Sequence, residues 1–200
     1  MGIPYSILES DSDYSFLINE AVKEASKLSA PYAIVVKSGT FNEYKLASKM
    51  QNDELKLTRE AALEIIMSKI EKEALIISTT GKLSRELFEL REKNFEKHNQ
   101  DFLTVGSMGH ANQIALGIAI EKPERMVYCL DGDGAALMHT GALGIIGNIS
   151  PQNYKHIIFN NGAHDSVGGQ PTIGLKTDFP KIANAFKYSK SLSSFAAIDL

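Results

Sequence analysis

Short unbroken apolar runs alternate along this chain with longer stretches in which apolar residues recur every three or four positions. The runs are YAIVV at 32–36, ALIIS at 74–78, FLTV at 102–105, MVYCL at 126–130 and HIIF at 156–159. Runs of this length with no polar alternation predict strands buried on both faces of a parallel sheet. Between them the spacing predicts helices. Residues 13–30 carry Ile18, Ala21, Val22, Ala25 and Leu28, with Asp11, Ser12 and Asp13 as available caps and Pro31 as the stop. Thr58 is placed to cap a helix through residue 70, with a stripe of Ala62, Ile65, Ile66 and Ile70. Further helices are expected from near Ser84, over 111–121, and over 178–187 behind an Asp178 cap. The stretch after residue 134 has room for one crossover helix, with Ala135, Leu137, Ala142, Leu143, Ile145 and Ile146 as its apolar members. The alternation predicts an α/β fold, a parallel sheet with helices on both faces.

The polar residues that interrupt this pattern are concentrated at the ends of predicted strands. MVYCL leads into Gly132-Asp133-Gly134; after 25 intervening residues, HIIF leads into Asn160-Asn161. Parallel sheets bind ligands at the carboxyl ends of their strands, and both motifs fall there. Gly132 and Gly134 leave no Cβ in the way of a phosphate, and the N–H groups of Gly134 and Ala135 open a helix and point at an anion. Asp133 offers a carboxylate oxygen, Asn161 an amide oxygen, and a main-chain carbonyl just past the pair, that of Ala163, a third. One carboxylate and two neutral oxygens suit Mg²⁺ whose remaining charge comes from a diphosphate. Alone, a Gly-Asp-Gly is turn chemistry and an Asn pair is a loop start. Together at consecutive strand ends, with a helix-sized gap, they describe a site. Neither G-x-G-x-x-G nor G-x-x-x-x-G-K-[ST] occurs, so the dinucleotide and P-loop readings lack their residues.

This arrangement resembles the signature of thiamine-diphosphate (ThDP) enzymes. GSMGHANQIALGIAI at 106–120 looks like the segment that reaches the cofactor's aminopyrimidine, and NNGAHDSVGGQPT at 160–172 resembles the phosphonopyruvate and sulfopyruvate decarboxylases in particular. The resemblance covers roughly residues 58–200 and, weakly, the first 45. It implies a diphosphate-binding domain over 58–200, a linker at 46–57, and at 1–45 the last helix and strand of a pyrimidine-binding domain, as though the chain were cut from a longer protein at both ends. It also implies that Gly106 offers its carbonyl to the 4′-amino group, that Met108 wedges the cofactor into its bent form, and that Gly81 and Lys82, in the turn Thr79-Thr80-Gly81-Lys82, lie beside the diphosphate. An unbranched thioether suits such a wedge, since it fills irregular gaps between rings.

The resemblance implies decarboxylation of a 2-oxo acid, with phosphonopyruvate to phosphonoacetaldehyde and CO₂ as the expected reaction and sulfopyruvate as the alternative substrate. A second alternative is a binding module that grips ThDP and Mg²⁺ without turnover until a pyrimidine-binding domain joins it. Lys82, Arg85, His110, His164 and Lys176 are the local cations for a phosphonate or sulfonate, and His110, His164 and Ser166 are the expected substrate contacts. The family's glutamate to N1′ of the pyrimidine belongs to the other domain. Glu9, Glu20, Glu24 and Glu43 lie away from where the family keeps it, so a partner domain or subunit is expected, in a homo-oligomer.

Composition narrows the classes. A net charge of −3 and a pI near 6.0, with no basic run, argue against a nucleic-acid surface. With 44% hydrophobic residues and no long apolar span, the 200-residue chain reads as globular and not as membrane-spanning. The single cysteine, Cys129, sits inside a predicted strand, which excludes an internal disulfide and fits the cytoplasm.

Overall fold

The structure, a computed structural model, describes residues 2–42 and 57–194. Most of the expected linker, 46–56, and the final 195–200 lie outside the described residues. The described residues belong to two compact units.

The first unit is a βαβ motif. Strand β1 (Tyr5–Leu8) pairs in parallel with β2 (Ala33–Val36), and α1 (Tyr14–Leu28) connects them. Of the three available caps, Asp13 closes α1, accepting from the Phe16 N–H at 3.0 Å. The hydrophobic pattern misses β1, because YSIL is a four-residue strand preceded by Gly and Pro and contributes only Leu8 to the core.

The second unit is a four-stranded, all-parallel sheet in the order β4-β3-β5-β6, with β3 at Leu75–Ser78, β4 at Asp101–Leu103, β5 at Val127–Gly132 and β6 at Tyr154–Phe159. Alternate side chains along the strands face opposite sides. Ile77, Val127 and Cys129 pack on one face against Ala111, Ala115 and Ala119 of α4 (Ala111–Glu121) and Leu143 and Ile146 of a later helix. Ile76 and Leu130 pack on the other against Leu63 of α2 (Arg59–Lys69) and Leu83 and Leu87 of α3 (Lys82–Lys93). The sheet therefore carries helices on both faces. At its edge, Arg91 of α3 makes a forked ion pair, at 3.0 and 2.9 Å, with the buried carboxylate of Asp101 and ties down β4.

Two expectations are corrected. The single crossover helix between the motifs is two, α5 (Asp133–Met138) and α6 (Gly141–Ile149), broken at His139 and Thr140, where the Thr140 hydroxyl donates back to the Ala136 and Leu137 carbonyls. Such back-bonding bends a helix. The stripe that buries α2 is centred on Leu63, which the expected stripe omits, with half-buried Met67 and the expected Ile70 packed beside it; Ala62, Ile65 and Ile66 are half-buried outside that cluster. Both stripes satisfy helical spacing, and the position of α3 selects between them.

Beyond β6 the chain forms a short antiparallel pair, β7 (Ala163–His164) with β8 (Gln170–Pro171), two 3₁₀ turns at Asp165–Val167 and Gly174–Lys176, and α7 (Phe179–Ala185). Helix α7 is capped by Asp178, which accepts from the Lys181 N–H at 3.0 Å. Among the described residues no helix is long and apolar enough to cross a membrane.

Two glycines predict opposite stability effects. A Cβ on Gly147 of α6 would overlap the Phe186 carbonyl, whereas one on exposed Gly117 of α4 would meet nothing. Gly147→Ala is expected to cost about 1–3 kcal/mol through overpacking, and Gly117→Ala to gain about 0.5–1 kcal/mol in helix entropy. Urea midpoints of the two variants check both signs.

Candidate functional site

The parallel register sets the height of every motif. Ser78 of β3 pairs with Leu130 of β5, and Gly132 of β5 pairs with Phe159 of β6. The Thr79–Gly81 turn, the Gly-Asp-Gly and the Asn pair thus leave the sheet along one edge. They meet in a pocket lined by Lys82, Met108, Gly132, Asp133, Gly134 and Ala135. Its other wall holds Asn161, Ala163, His164 and Ser166, from the segment after β6.

The glycines explain how tightly the pieces fit. Gly81, at φ 107°, starts α3 in a conformation open to glycine alone, and a Cβ there would lie 3.1 Å from the Ser166 hydroxyl. A Cβ on Gly134 would press on the His164 ring and come within 3.2 Å of the Met108 methyl. Met108 and His164 therefore lie against the start of α5 on the pocket side. Gly106, at φ 76°, has open space before it, and its N–H donates to the Thr80 hydroxyl at 3.0 Å, which joins its loop to the end of β3.

Not every candidate converges. His110 is exposed at the start of α4; its Nδ1–H donates to the Ser107 carbonyl at 3.2 Å, and its ring lies 4.5 Å from that of His139. It does not line the pocket that holds His164 and Ser166. Residues that spacing did not single out line this pocket instead. Arg59, Asp165, Leu83 and Phe159 are among them.

Asp133 is the buried charge of the site, with only 2% of its surface exposed. Burial pushes its carboxyl above the usual carboxylate range; hydrogen bonds from Thr172 and the Gly134 N–H and the nearness of His164 pull the other way without cancelling the effect. Beside it, the Asn160 amide donates to the Gly174 carbonyl at 2.9 Å, while its oxygen is buried with no hydrogen-bond partner. Gly174 packs directly on this Asn160 oxygen and on the Asp133 carboxylate. The Asn161 oxygen accepts from the Ala163 N–H at 3.1 Å, and its amide donates to Asp165 at 2.9 Å. A buried carboxylate pushed toward its neutral form and the Asn161 amide line one pocket, with the orphaned Asn160 oxygen beside the carboxylate across Gly174, an oxygen-rich arrangement. That chemistry fits a hard divalent cation.

A parallel sheet with a metal-suited carboxylate and a glycine-opened helix at one strand end defines the class: an α/β domain built to hold a diphosphate. A family model described as "Thiamine pyrophosphate enzyme, C-terminal TPP binding domain" matches residues 79–197, and the chain belongs to that family. The phosphonopyruvate decarboxylase of Streptomyces viridochromogenes is 43% identical over 131 residues, 66% of this chain and 32% of that protein. The sulfopyruvate decarboxylase subunit beta of Methanocaldococcus jannaschii is 34% identical over 119 residues, 59% of this chain and 60% of that subunit. The chain thus spans about a third of the length of the phosphonopyruvate decarboxylases it matches. A thiamine diphosphate-dependent 4-hydroxybenzoylformate decarboxylase of Rhodococcus jostii superposes with a TM-score of 0.59 at 16% identity, over 88% of this chain and 38% of that one, and shares the fold.

The raised carboxyl of Asp133 has a consequence for stability. A folded-state pKa above the unfolded one means that the folded chain prefers the protonated acid, so stability is greatest at low pH and falls as pH rises through the folded pKa. In chelator, Asp133→Asn is expected to melt higher than the parent at pH 7, by about 2–4 °C for each kcal/mol relieved in a chain of this size. Calorimetry at pH 7 and at pH 4 checks this, the difference shrinking at the lower pH.

Proposed function

We propose that the chain is the diphosphate-binding part of a ThDP- and Mg²⁺-dependent decarboxylase acting on phosphonopyruvate. The observation that carries this reading is the convergence of Asp133, Asn161 and Ala163 with Lys82, Gly134 and Met108 in one pocket. The substrate is supported by the 43 and 44% identities to two phosphonopyruvate decarboxylases.

Within this reading, Asp133, Asn161 and the Ala163 carbonyl hold the metal, and the N–H groups of Gly134 and Ala135 with the Lys82 ammonium hold the diphosphate. Met108, beside Gly134, would pack against the cofactor as its wedge, and the Gly106 carbonyl would accept from its amino group. When bound, thiamine diphosphate supplies the carbon nucleophile and the electron sink that decarboxylation of a 2-oxo acid requires. The chain's own work is grip, bend and orientation. Leu83 and Phe159 form the apolar part of the pocket and limit water around the metal and phosphates. His164 and Ser166 stand where they contact the diphosphate or a substrate anion, and His110 contacts substrate only from outside that pocket.

Residues 1–45 belong in this reading to a pyrimidine-binding domain, whose remainder, with the N1′ glutamate, comes from the same full-length protein or a second subunit in an oligomer. The match to a subunit named beta supports a two-part enzyme. Sulfopyruvate is the second reading, since the chain covers 67% and 68% of two further subunits of that name. A cytoplasmic setting belongs to this reading.

Asp133→Ala is expected to abolish Mg²⁺-dependent ThDP binding measured by calorimetry, and Glu92→Gln, at an exposed position, to leave it unchanged. Decarboxylation of phosphonopyruvate, sulfopyruvate and pyruvate should be assayed with and without an added pyrimidine-binding domain. Turnover of phosphonopyruvate above the other two, dependent on that domain, is the expected result; preference for sulfopyruvate selects the second reading, and turnover of pyruvate alone overturns both. In the completed enzyme Met108→Ala should lower kcat more than it weakens cofactor binding. Equal losses would instead indicate core damage of about 2–5 kcal/mol.

A further inference from the structure

The segment that follows the Asn pair does more than line the pocket. Thr172 lies 39 residues from Asp133 in sequence, yet its hydroxyl donates to the Asp133 Oδ2. The direction of that proton is determined locally, because the same hydroxyl accepts from the Gly174 N–H at 2.9 Å, which leaves its own hydrogen for the carboxylate. The backbone of Thr172 is held in turn, its N–H donating to the Gly162 carbonyl at 2.7 Å, one residue past Asn161. One oxygen of Asp133 is thus committed and the carboxylate cannot rotate freely.

Asn161 is held in the same manner. Its amide nitrogen donates to Asp165 Oδ2 at 2.9 Å, and its oxygen accepts from the Ala163 N–H at 3.1 Å. These partners admit only one orientation, since a flipped amide would set oxygen against a carboxylate and nitrogen against an N–H. Asp165 is itself anchored, accepting from Arg59 Nη1 at 3.2 Å. The rest of that guanidinium forks onto Glu86 at 2.6 and 2.5 Å, so the anchor runs to α2 and α3 at once.

We propose that Thr172 and Asp165 are positioning residues for the metal: each takes up an atom of a ligand side chain and so aims what remains, Thr172 for Asp133 and Asp165 for Asn161. The proposal rests on the reading of Asp133 and Asn161 as Mg²⁺ ligands. Partners of this kind orient ligating side chains, and their loss costs roughly 10- to 100-fold in metal affinity. Mg²⁺ demands near-ideal octahedral order, whereas Ca²⁺ tolerates looser geometry. Removing a positioning residue therefore weakens Mg²⁺ more than Ca²⁺, which a general loss of stability does not do.

The test is titration calorimetry of the 200-residue chain with thiamine diphosphate in Mg²⁺ or in Ca²⁺, alongside the melting temperature of the same chain in chelator. Thr172→Val and Asp165→Ala are each expected to lose about 10- to 100-fold in Mg²⁺-supported affinity, to lose less in Ca²⁺, and to keep a melting temperature near the parent's. Thr172→Ser and Asp165→Asn, which retain a donor hydroxyl and an acceptor oxygen, should recover most of the Mg²⁺ affinity. Parental affinity in both truncating variants, or equal losses in the two metals that track a fallen melting temperature, overturns the proposal. Asp133→Ala is the reference arm: if it fails to bind while Thr172→Val and Asp165→Ala bind as the parent does, the positioning roles fall and the metal site stands. If Asp133→Ala also binds as the parent does, the metal-site reading falls and the positioning roles with it.

Discussion

Asp133 is a carboxylate kept almost out of water at the end of a central strand, and the surroundings are arranged about the cost of keeping it there. Burial drives the group toward its neutral form, and the Thr172 hydroxyl, the main-chain N–H groups of Gly134 and of Asp133 itself and the neighbouring His164 imidazole act against that. Lys82 lines the same pocket but makes no ion pair with the carboxylate, and Arg59 is engaged with Glu86 and Asp165. A site with an unneutralised acid holds a strain that a bound cation would relieve. The same residue that weakens the empty fold would then strengthen the filled one, a frequent exchange at functional positions.

Beneath that acid lies a second polar group of a different kind. Asp131 is wholly buried, and its carboxylate accepts from Asn112 at 3.3 Å, His156 at 3.2 Å and the Gly132 N–H at 3.0 Å. Cys129 lies close enough to Asp131 and His156 for the three to share one ion. The carboxylate, however, already accepts three hydrogen bonds, and the cluster sits among the core residues on the face packed against α4 and α6. Its contribution is structural: through Gly132 it holds the strand end from which Asp133 departs.

The sheet and its strand-end motifs were legible because both depend on local order. Buried parallel strands are unbroken apolar runs, and Gly-Asp-Gly and Asn-Asn are short enough to stand out. What escaped reading depended on distance or on choice between equals. Strand β1 carries no run of its own. The α2 stripe through Leu63 competes with an equally periodic one, and only the tertiary neighbour decides. The break at His139 and Thr140 follows from a hydroxyl bonding backward, which competes with helix propensity but leaves no periodic trace. Arg59 meets Asp165 across 106 positions, and no spacing rule reaches that far. In the fold the glycines at 81, 134 and 174 mark close approach to Ser166, to His164 and Met108, and to Asp133 and Asn160, contacts that sequence spacing does not show.

The pairing of His156 with Asp131 also bears on how the chain finds its strand alignment. Strands β5 and β6 are both largely apolar, and apolar strands alone discriminate poorly between neighbouring alignments. Cys129 stands opposite His156 in the native register, which brings the imidazole to the Asp131 carboxylate. Shifting β6 by one residue would turn His156 to the other face and leave a carboxylate in the core without one of its partners, a penalty added to that of mismatched apolar packing. The buried pair thus penalises misaligned sheets and helps to fix the register that sets Gly132 beside Phe159.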